Sequence, residues 1–271
     1  MLAARGIGVR VGRRWLIEGV SLGVGPGELV VMLGPNGAGK STLLACLSGA
    51  RTPSTGRVTL DGRPLHLIDA TALAKRRAVL AQANMLTMPL HAEEVVALGR
   101  VPHVERAAEG RAVVAAAMAA TDVGEFIGRT VPTLSGGEQQ RVHLARALAQ
   151  IWPERAALPR YLLLDEPTSS LDLAHQAEVM ATARAFADAG HGVLAILHDL
   201  NLAAATADRL VVLDRGRLAA EGPASEVLSA ALVERVFGVR ADILARPDGR
   251  GPLVVPHLVP PRPLVDQETM T

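Results

Sequence analysis

One stretch of nine residues has the composition and spacing of a loop that binds phosphate groups. Its residues are, in order, Gly34, Pro35, Asn36, Gly37, Ala38, Gly39, Lys40, Ser41 and Thr42. Glycines allow successive backbone N–H groups to turn inward toward oxyanions, Lys40 can reach the β- and γ-phosphates of a nucleotide, and Ser41 can ligate Mg²⁺. An ordinary glycine-rich turn is the alternative interpretation. The Lys-Ser-Thr run between an apolar strand and a helix favours the phosphate loop.

A second chemical signal is a pair of carboxylates, Asp165 and Glu166, at the end of the apolar run 161–164. A carboxylate at such a strand end can hold Mg²⁺ in phosphate-loop enzymes, and its neighbour can orient or deprotonate an attacking water. Gln82 and His198 also follow apolar runs, so Gln82 is a candidate for contact with Mg²⁺ or water and His198 for contact with a γ-phosphate. Each candidate has an alternative interpretation. Asp165 and Glu166 could be an acidic pair that faces solvent, Gln82 a polar cap and His198 a structural histidine.

The third signal is the segment LSGGEQQR at 134–141. Ser135 and Glu138 have the spacing of a capping box before an apolar-periodic helix, and Gly136 and Gly137 leave the backbone N–H groups uncovered. A well-capped helix explains the same residues. If the segment is an anion site, it either clamps the nucleotide of its own chain or completes the site of a partner.

The elements that must position these residues follow from the pattern of apolar runs. Runs at 29–33, 78–81, 161–164 and 193–197 alternate with helical segments, which predicts an α/β fold with a mostly parallel sheet and helices on both faces. Short strands with turns in residues 5–33 predict an antiparallel β subdomain, and helical periodicity up to Gln150 predicts an inserted helical subdomain. Because ligands of parallel sheets collect at the carboxyl ends of the strands, the phosphate loop, Gln82, the acidic pair and His198 should share one site.

Composition excludes several classes of protein. The chain has 271 residues, 49% hydrophobic and 20% charged, with a formal net charge of +1. This composition predicts a globular protein, and the net charge gives no indication of a basic surface that would bind nucleic acid. The single cysteine, Cys46, excludes an intrachain disulfide. No apolar run approaches the roughly 18 residues of a membrane span, so we expect membrane association only through a partner.

Taken together, these motifs resemble ATP-binding cassette (ABC) ATPases over about residues 5–240. The motifs that agree in type and order are the phosphate loop, Gln82, LSGGEQQR, the 161–165 strand with Glu166, Ser170-Leu171-Asp172, and His198. The resemblance implies a P-loop NTPase (RecA-like) core. It gives an ATPase domain at 1–240, with the helical subdomain inserted at 83–150, and a C-terminal tail at 241–271.

The resemblance also implies the cofactors ATP and Mg²⁺ and a head-to-tail homodimer that encloses two nucleotides. In that arrangement Ser135, Gly136 and Gly137 cap the γ-phosphate held by Lys40 of the other copy. Roles are implied for five more residues: Asp165 and Gln82 at Mg²⁺, Glu166 as general base, His198 as γ-phosphate sensor, and Asp172 in the cross-dimer loop. The chain departs from the family pattern at the aromatic residue that often stacks on adenine. By spacing from Lys40 that position falls near Val11, which is not aromatic, and Trp15 comes four residues later.

Within this family the segment 94–103 resembles importers of iron chelates, cobalamin and heme. The segments 150–161 and 171–176 are most similar to the ATPases of hemin importers. That resemblance implies a permease dimer as partner, a periplasmic binding protein as an indirect partner, and a peripheral location on the cytoplasmic face of the bacterial inner membrane. The alternatives that stay open are a ferric siderophore or cobalamin importer, and a cassette outside transport.

Overall fold

A computed structural model describes residues 1–81, 88–152, 158–169, 171–247 and 249–257 of the chain. The strands of these residues are β1 (Leu2–Val11), β2 (Arg14–Val24), β3 (Leu29–Leu33), β4 (Thr55–Leu60), β5 (Arg63–Pro64), β6 (Arg77–Leu80), β7 (Tyr161–Asp165), β8 (Gly192–Ile196), β9 (Arg209–Asp214), β10 (Arg217–Gly222), β11 (Ala241–Ala245) and β12 (Pro252–Pro256). The α-helices are α1 (Lys40–Leu47), α2 (Ala70–Ala74), α3 (Ala92–Ala97), α4 (Ala107–Ala120), α5 (Gly136–Gln150), α6 (Leu173–Asp188), α7 (Leu200–Thr206), α8 (Ala224–Val227) and α9 (Ala230–Phe237).

The central sheet has six strands in the order β10-β9-β3-β8-β7-β6. The pairs from β9 to β6 are parallel, and only β10 pairs antiparallel, with β9. All residues of β3, β7 and β8 are buried, as continuous apolar runs require when both faces of a sheet are covered. The predicted α/β fold with a mostly parallel sheet is therefore confirmed.

The second sheet is antiparallel, in the order β2-β1-β4-β5. Its inward-facing residues pack with α1 and with one face of the central sheet in a separate core cluster. This confirms the predicted antiparallel β subdomain, although β1 is longer than expected because it already begins at Leu2. The arrangement matters for the site, because it brings the β1–β2 hairpin close to the loop between β3 and α1.

Helices α3, α4 and α5 contact one another and form the described part of the predicted helical insertion. Their apolar faces join the main core cluster, which includes Val95, Val113, Phe126, Val142 and Leu148. On α4, Val113, Ala117 and Met118 are buried and Val114 is half-buried, as in a core-facing helix. Among the described residues, no helix is both long and apolar enough to cross a membrane.

The sequence prediction of a peripheral C-terminal tail was incomplete. Residues 241–256 include the antiparallel hairpin β11–β12, in which Ala241 and Val254 are buried against the main core. The Asn201 side chain on α7 fixes the hairpin, because its Oδ1 accepts from Val254 N at 2.7 Å and its Nδ2 donates to Val254 O at 3.1 Å. Residues 258–271 lie outside the described part of the chain.

Candidate functional site

The loop between β3 and α1 has the geometry of a phosphate cradle. Gly34 and Gly39 have φ values of 148° and 100°, in the region that favours glycine. A Cβ on Gly34 would lie 2.2 Å from the Leu213 carbonyl oxygen, and one on Gly39 would lie 2.4 Å from Ile17 Cγ2. Neither position can therefore accept a side chain. The loop ends at the N-terminus of α1, where unpaired backbone N–H groups and the helix dipole favour an anion.

A cleft of about 580 Å³ opens above this loop. Its lining residues are Arg14, Trp15, Leu16, Asn36, Gly37, Ala38, Gly39, Lys40, Ser41, Thr42, Glu166 and Arg215. Seven of the nine predicted loop residues thus line the cleft, together with one predicted catalytic residue, Glu166, and three residues of the β1–β2 hairpin. Lys40 Nζ donates to the carbonyl oxygens of Gly34 at 2.7 Å and Pro35 at 3.1 Å.

Ser41 and Asp165 meet at the buried end of the site. Ser41 Oγ donates to Asp165 Oδ1 at 3.3 Å, which brings together two of the three side chains predicted to bind the metal, one from α1 and one from the end of β7. Burial raises the pKa of the Asp165 carboxyl and lowers the pKa of the Lys40 ammonium. Both shifts have the same cause, since each charged form loses water in this environment. A cation near Asp165 and an anion near Lys40 would stabilise the charged forms of these two side chains.

Glu166 and His198 are in direct contact. His198 follows β8, next to β7 in the sheet, and its Nε2 lies 2.6 Å from Glu166 Oε1. Glu166 has a φ of 52°, an unusual conformation for a residue that is not glycine, and its side chain is 15% exposed. The Glu166 side chain lines the cleft, next in sequence to Asp165. The prediction that these strand ends would converge is confirmed for the described residues.

Gln82, the remaining predicted residue at this edge, lies outside the described residues. It follows the C-terminal end of β6 by two positions, and β6 is the strand next to β7. Its assignment to Mg²⁺ or water stays a prediction.

The Ser135 segment lies elsewhere on the chain. Ser135 caps α5, with Ser135 N donating to Glu138 Oε2 at 2.6 Å and Glu138 N donating to Ser135 Oγ at 3.4 Å, so the predicted capping box is present. Hydrogen bonding to Ser135, above all to its backbone N–H, lowers the pKa of the Glu138 carboxyl. Among the described residues that line the cleft, none belongs to the segment 135–137. Ser135 and Gly136 are exposed, so the uncovered helix N-terminus faces solvent and not the phosphate loop of its own chain.

Asp172 is the N-cap of α6. Its Oδ1 accepts from His175 N at 2.9 Å and lies 2.8 Å from His175 Nδ1. The preceding residue, Leu171, contacts the start of the other capped helix, because a Cβ on Gly137 would lie 2.7 Å from Leu171 Cδ2. The loop that carries Asp172 and the segment that begins α5 are therefore adjacent on one exposed surface.

The cleft also contains residues that the sequence prediction either doubted or missed. Trp15 lines the cleft, whereas Val11 does not. Arg10 stacks over the Trp15 ring, with its guanidinium carbon 5.5 Å from the ring centroid. Arg14 and Arg215 were not predicted, because only the packing of two hairpin turns against the phosphate loop brings them here. The left-handed turn signal at 214–216 could have drawn attention to Arg215.

Comparison with known proteins agrees with this geometry. The family model described as ABC transporter matches residues 17–169. Proteins named hemin import ATP-binding protein HmuV from Myxococcus xanthus and Gloeobacter violaceus are 51% and 49% identical to the chain. The alignments cover 94% of this chain in both cases, with 97% of the first relative and 94% of the second.

A solved structure gives the same result for the fold. The dimeric structure of a bacterial ABC transporter cassette superposes with a TM-score of 0.71 and is 26% identical, covering 82% of this chain and 98% of that one. The family match spans the phosphate loop, the capped segment and the acidic pair, which are the features described above. The chain belongs to the ABC transporter ATPase family.

Proposed function

We propose that this chain is the ATP-hydrolysing subunit of a bacterial hemin importer. The ATPase half of the proposal is carried by one observation: the carboxylate of Glu166 lies at the head of a phosphate loop, beside the Ser41–Asp165 pair. The hemin half is carried by relatives that bear that name, at 44–51% identity over 90% or more of this chain.

The residues of the site fit ATP and Mg²⁺. The loop leads into the N-terminus of α1, where unpaired backbone N–H groups favour an anion, and Lys40 supplies a partly buried ammonium. A serine hydroxyl and a carboxylate are the hard oxygen ligands that Mg²⁺ prefers, and Ser41 and Asp165 provide both. The ion would neutralise charge on the β- and γ-phosphates and orient them for attack. Burial raises the pKa of the Asp165 carboxyl, and a cation at this position would oppose that shift because it favours the ionised form.

Glu166 is the residue we assign as general base. Its side chain lines the cleft and is mostly shielded from solvent, which suits a group that orients and deprotonates one water molecule. His198 contacts Glu166 directly and can exchange that contact for a γ-phosphate oxygen. Binding of the triphosphate would then separate His198 from the base, and loss of the γ-phosphate would restore the pair.

The exposed position of Ser135 and Gly136, with the half-buried Gly137 next to them, supports a head-to-tail homodimer. A helix N-terminus with uncovered N–H groups is an anion site, and this one has no phosphate loop within its own chain to serve. A second copy related by a two-fold axis would supply a γ-phosphate to each segment. Asp172, on the same surface and in contact through Leu171, would then lie at the interface.

Trp15 is the residue we assign to the nucleotide base. It lies on the cleft wall that the β1–β2 hairpin forms, and one ring face is covered by Arg10. Aromatic rings bind bases by stacking, with little discrimination between them.

The partner in the membrane would dock on the helical insertion. Leu98, Val101 and Val104 are 44%, 77% and 101% exposed, which is unusual for three apolar side chains within seven residues. The histidines of this region have structural contacts: His91 Nδ1 lies 3.1 Å from Glu94 Oε2, and His103 Nε2 lies 2.8 Å from Gln150 O. A permease dimer on this surface, fed by a periplasmic binding protein, would hold the chain at the cytoplasmic face of the inner membrane.

The proposal is tested with the complete transporter. The chain is reconstituted in proteoliposomes with the permease that co-purifies with it, and ATP hydrolysis is measured after addition of a binding protein loaded with hemin, a ferric siderophore or cobalamin. We expect hemin to stimulate hydrolysis several-fold and the other two compounds to leave it at the basal rate. Lys40→Ala should remove both basal and stimulated hydrolysis.

Stimulation by a siderophore or cobalamin instead of hemin would correct the substrate and leave the ATPase assignment intact. Failure of the chain to co-purify with any permease, together with hydrolysis that ignores all three compounds, would contradict the transport function.

A further inference from the structure

Arg215 shares an unusual property with the proposed general base. Four described residues other than glycine have a positive φ, and two of them are aspartates, which tolerate this conformation. The other two are Glu166 at 52° and Arg215 at 46°, and both line the cleft above the phosphate loop. Backbone strain of this kind concentrates at functional sites. Glu166 has an assigned role, whereas Arg215 has none.

The chemistry of the turn does not explain an arginine at this position. Asp214 pairs with Arg217 in the β9–β10 hairpin, so Arg215 and Gly216 form a two-residue turn. Both have positive φ, 46° and 79°, as in a type I′ turn, for which Asn, Asp or Gly is the favoured first residue. An exposed arginine in this place costs stability and requires another reason.

The turn is fixed directly against the phosphate loop. Gly216 N donates to Ala38 O at 3.1 Å, and Gly216 O accepts from Glu18 N on β2 at 2.8 Å. A Cβ on Gly216 would lie 2.6 Å from the Leu16 carbonyl oxygen, so the turn is held closely between the loop and the β1–β2 hairpin. Arg215 is therefore the neighbour in sequence of a residue that is hydrogen-bonded to the phosphate loop, and its side chain lines the cleft.

The guanidinium of Arg215 has no hydrogen bond or ion pair with any of the described residues. A guanidinium binds phosphate oxygens strongly, through charge-assisted hydrogen bonds in a fork geometry. We propose that Arg215 contacts the phosphate chain of the bound nucleoside di- or triphosphate, as a positively charged group that the phosphate-loop motif does not include. This inference rests on the proposed function, because it requires the cleft to hold a nucleotide.

The test compares two arginines that both lie in two-residue hairpin turns. Arg215→Asn removes the charge and places a residue that favours a positive φ, so the fold should be kept or stabilised. Arg13→Asn is the matched control, because Arg13 is exposed in the β1–β2 turn and does not line the cleft. Dissociation constants of the full chain for Mg-ATP and Mg-ADP are measured by calorimetry at low and high salt, together with the Tm without nucleotide.

We expect Arg215→Asn to weaken both nucleotides about tenfold at low salt, the size of one exposed charge-assisted hydrogen bond. The difference should shrink at high salt because the group is exposed to solvent. Arg215→Lys should recover part of the affinity, and Arg13→Asn should bind as the wild type does. The Tm of Arg215→Asn should equal or exceed the wild-type value.

Wild-type affinity in Arg215→Asn would overturn the inference, and so would an equal loss in Arg13→Asn, which would indicate a diffuse field and no contact. The variant Lys40→Ala distinguishes a failure of the role of Arg215 from a failure of the proposed ATPase function. If Lys40→Ala binds nucleotide poorly while Arg215→Asn binds normally, only the role of Arg215 fails. If Lys40→Ala binds ATP as the wild type does, the proposed function fails as well.

Discussion

The imidazole of His198 lies 2.6 Å from the carboxylate of Glu166, so the proposed γ-phosphate sensor and the proposed base contact each other. The contact joins the ends of two neighbouring strands, β7 and β8. Because His198 cannot bind Glu166 and a phosphate through the same nitrogen atom, the pair has two exclusive states. We expect the contact with Glu166 in the chain without nucleotide, and the contact with a γ-phosphate in the chain with ATP in the cleft.

Replacing Glu166 by glutamine should separate binding from hydrolysis. Gln keeps the size of the side chain and removes its ability to accept a proton, so we expect ATP to bind and hydrolysis to fall by a factor of about 100 or more. The closed dimer should then accumulate, as a species of twice the mass on size-exclusion chromatography with ATP. Glu125→Gln, at an exposed turn of the helical insertion, is the control and should hydrolyse ATP normally. Turnover of Glu166→Gln within a few-fold of wild type would remove Glu166 as the base.

The position of Ser135 gives a test of the dimer. Arg at 135 would fill the space in which the partner's γ-phosphate should lie, without touching the cleft of its own chain. We therefore expect Ser135→Arg to abolish hydrolysis and to leave the nucleotide affinity of the isolated chain unchanged. Thr71→Arg, exposed on α2 and remote from the site residues, should affect neither quantity. A collapse of affinity in Ser135→Arg would mean that the segment serves the nucleotide of its own chain.

The phosphate loop, the acidic pair and the capping box could be predicted because each depends on a few neighbouring residues. Gly34, Lys40 and Ser41 act within one strand-turn-helix unit, and Ser135 and Glu138 act within one helical turn. The alternation of apolar runs then predicted that the strand ends would meet. The motifs are local in sequence, and the meeting of the strand ends follows from the topology of the sheet.

The presence of Trp15 and Arg215 in the cleft could not be predicted, because both residues reach it only through contacts between hairpins distant in sequence. Gly216 N donates to Ala38 O and Gly216 O accepts from Glu18 N, so the two hairpins and the phosphate loop are joined, and no periodicity in the sequence indicates these contacts. The β11–β12 hairpin was missed for another reason. Prolines at both ends of β12 lower the strand signal, but an edge strand tolerates them.

Trp15 provides a test of the base end of the cleft. Loss of one stacking contact should weaken ATP and GTP alike by about tenfold, because every base offers a π-face. Trp15→Ala should show this loss in nucleotide titrations, and Trp15→Phe should recover most of the affinity. The Tm must be measured in parallel, because the indole also packs against Gly8, where a Cβ would lie 2.9 Å from Trp15 Cζ3. Unchanged affinity in Trp15→Ala would place the base elsewhere.

The ion pair between Arg100 and Glu105 predicts a pH dependence of stability. Arg100 is 8% exposed, donates through Nε to Glu105 Oε1 at 2.9 Å, and also bonds to the Ala149 carbonyl at the end of α5. The hydrogen bonds from Arg100 lower the pKa of the Glu105 carboxyl below its ordinary value of 4.5. The stabilisation is therefore complete above the pKa of the unfolded chain, and it is lost as the pH falls through the lower pKa of the folded chain.

Glu105→Gln should reduce the free energy of unfolding by about 3 kcal/mol at pH 7, because a buried guanidinium loses its charged partner. Urea unfolding at a series of pH values from 7 to about 3 measures the difference from wild type. We expect the difference to narrow only in the acid range, as wild-type Glu105 becomes protonated. Glu178→Gln, exposed on α6, should follow the wild-type curve throughout. A difference that stays constant to the lowest pH would mean that Glu105 stabilises the segment by shape and hydrogen bonding and not by its charge.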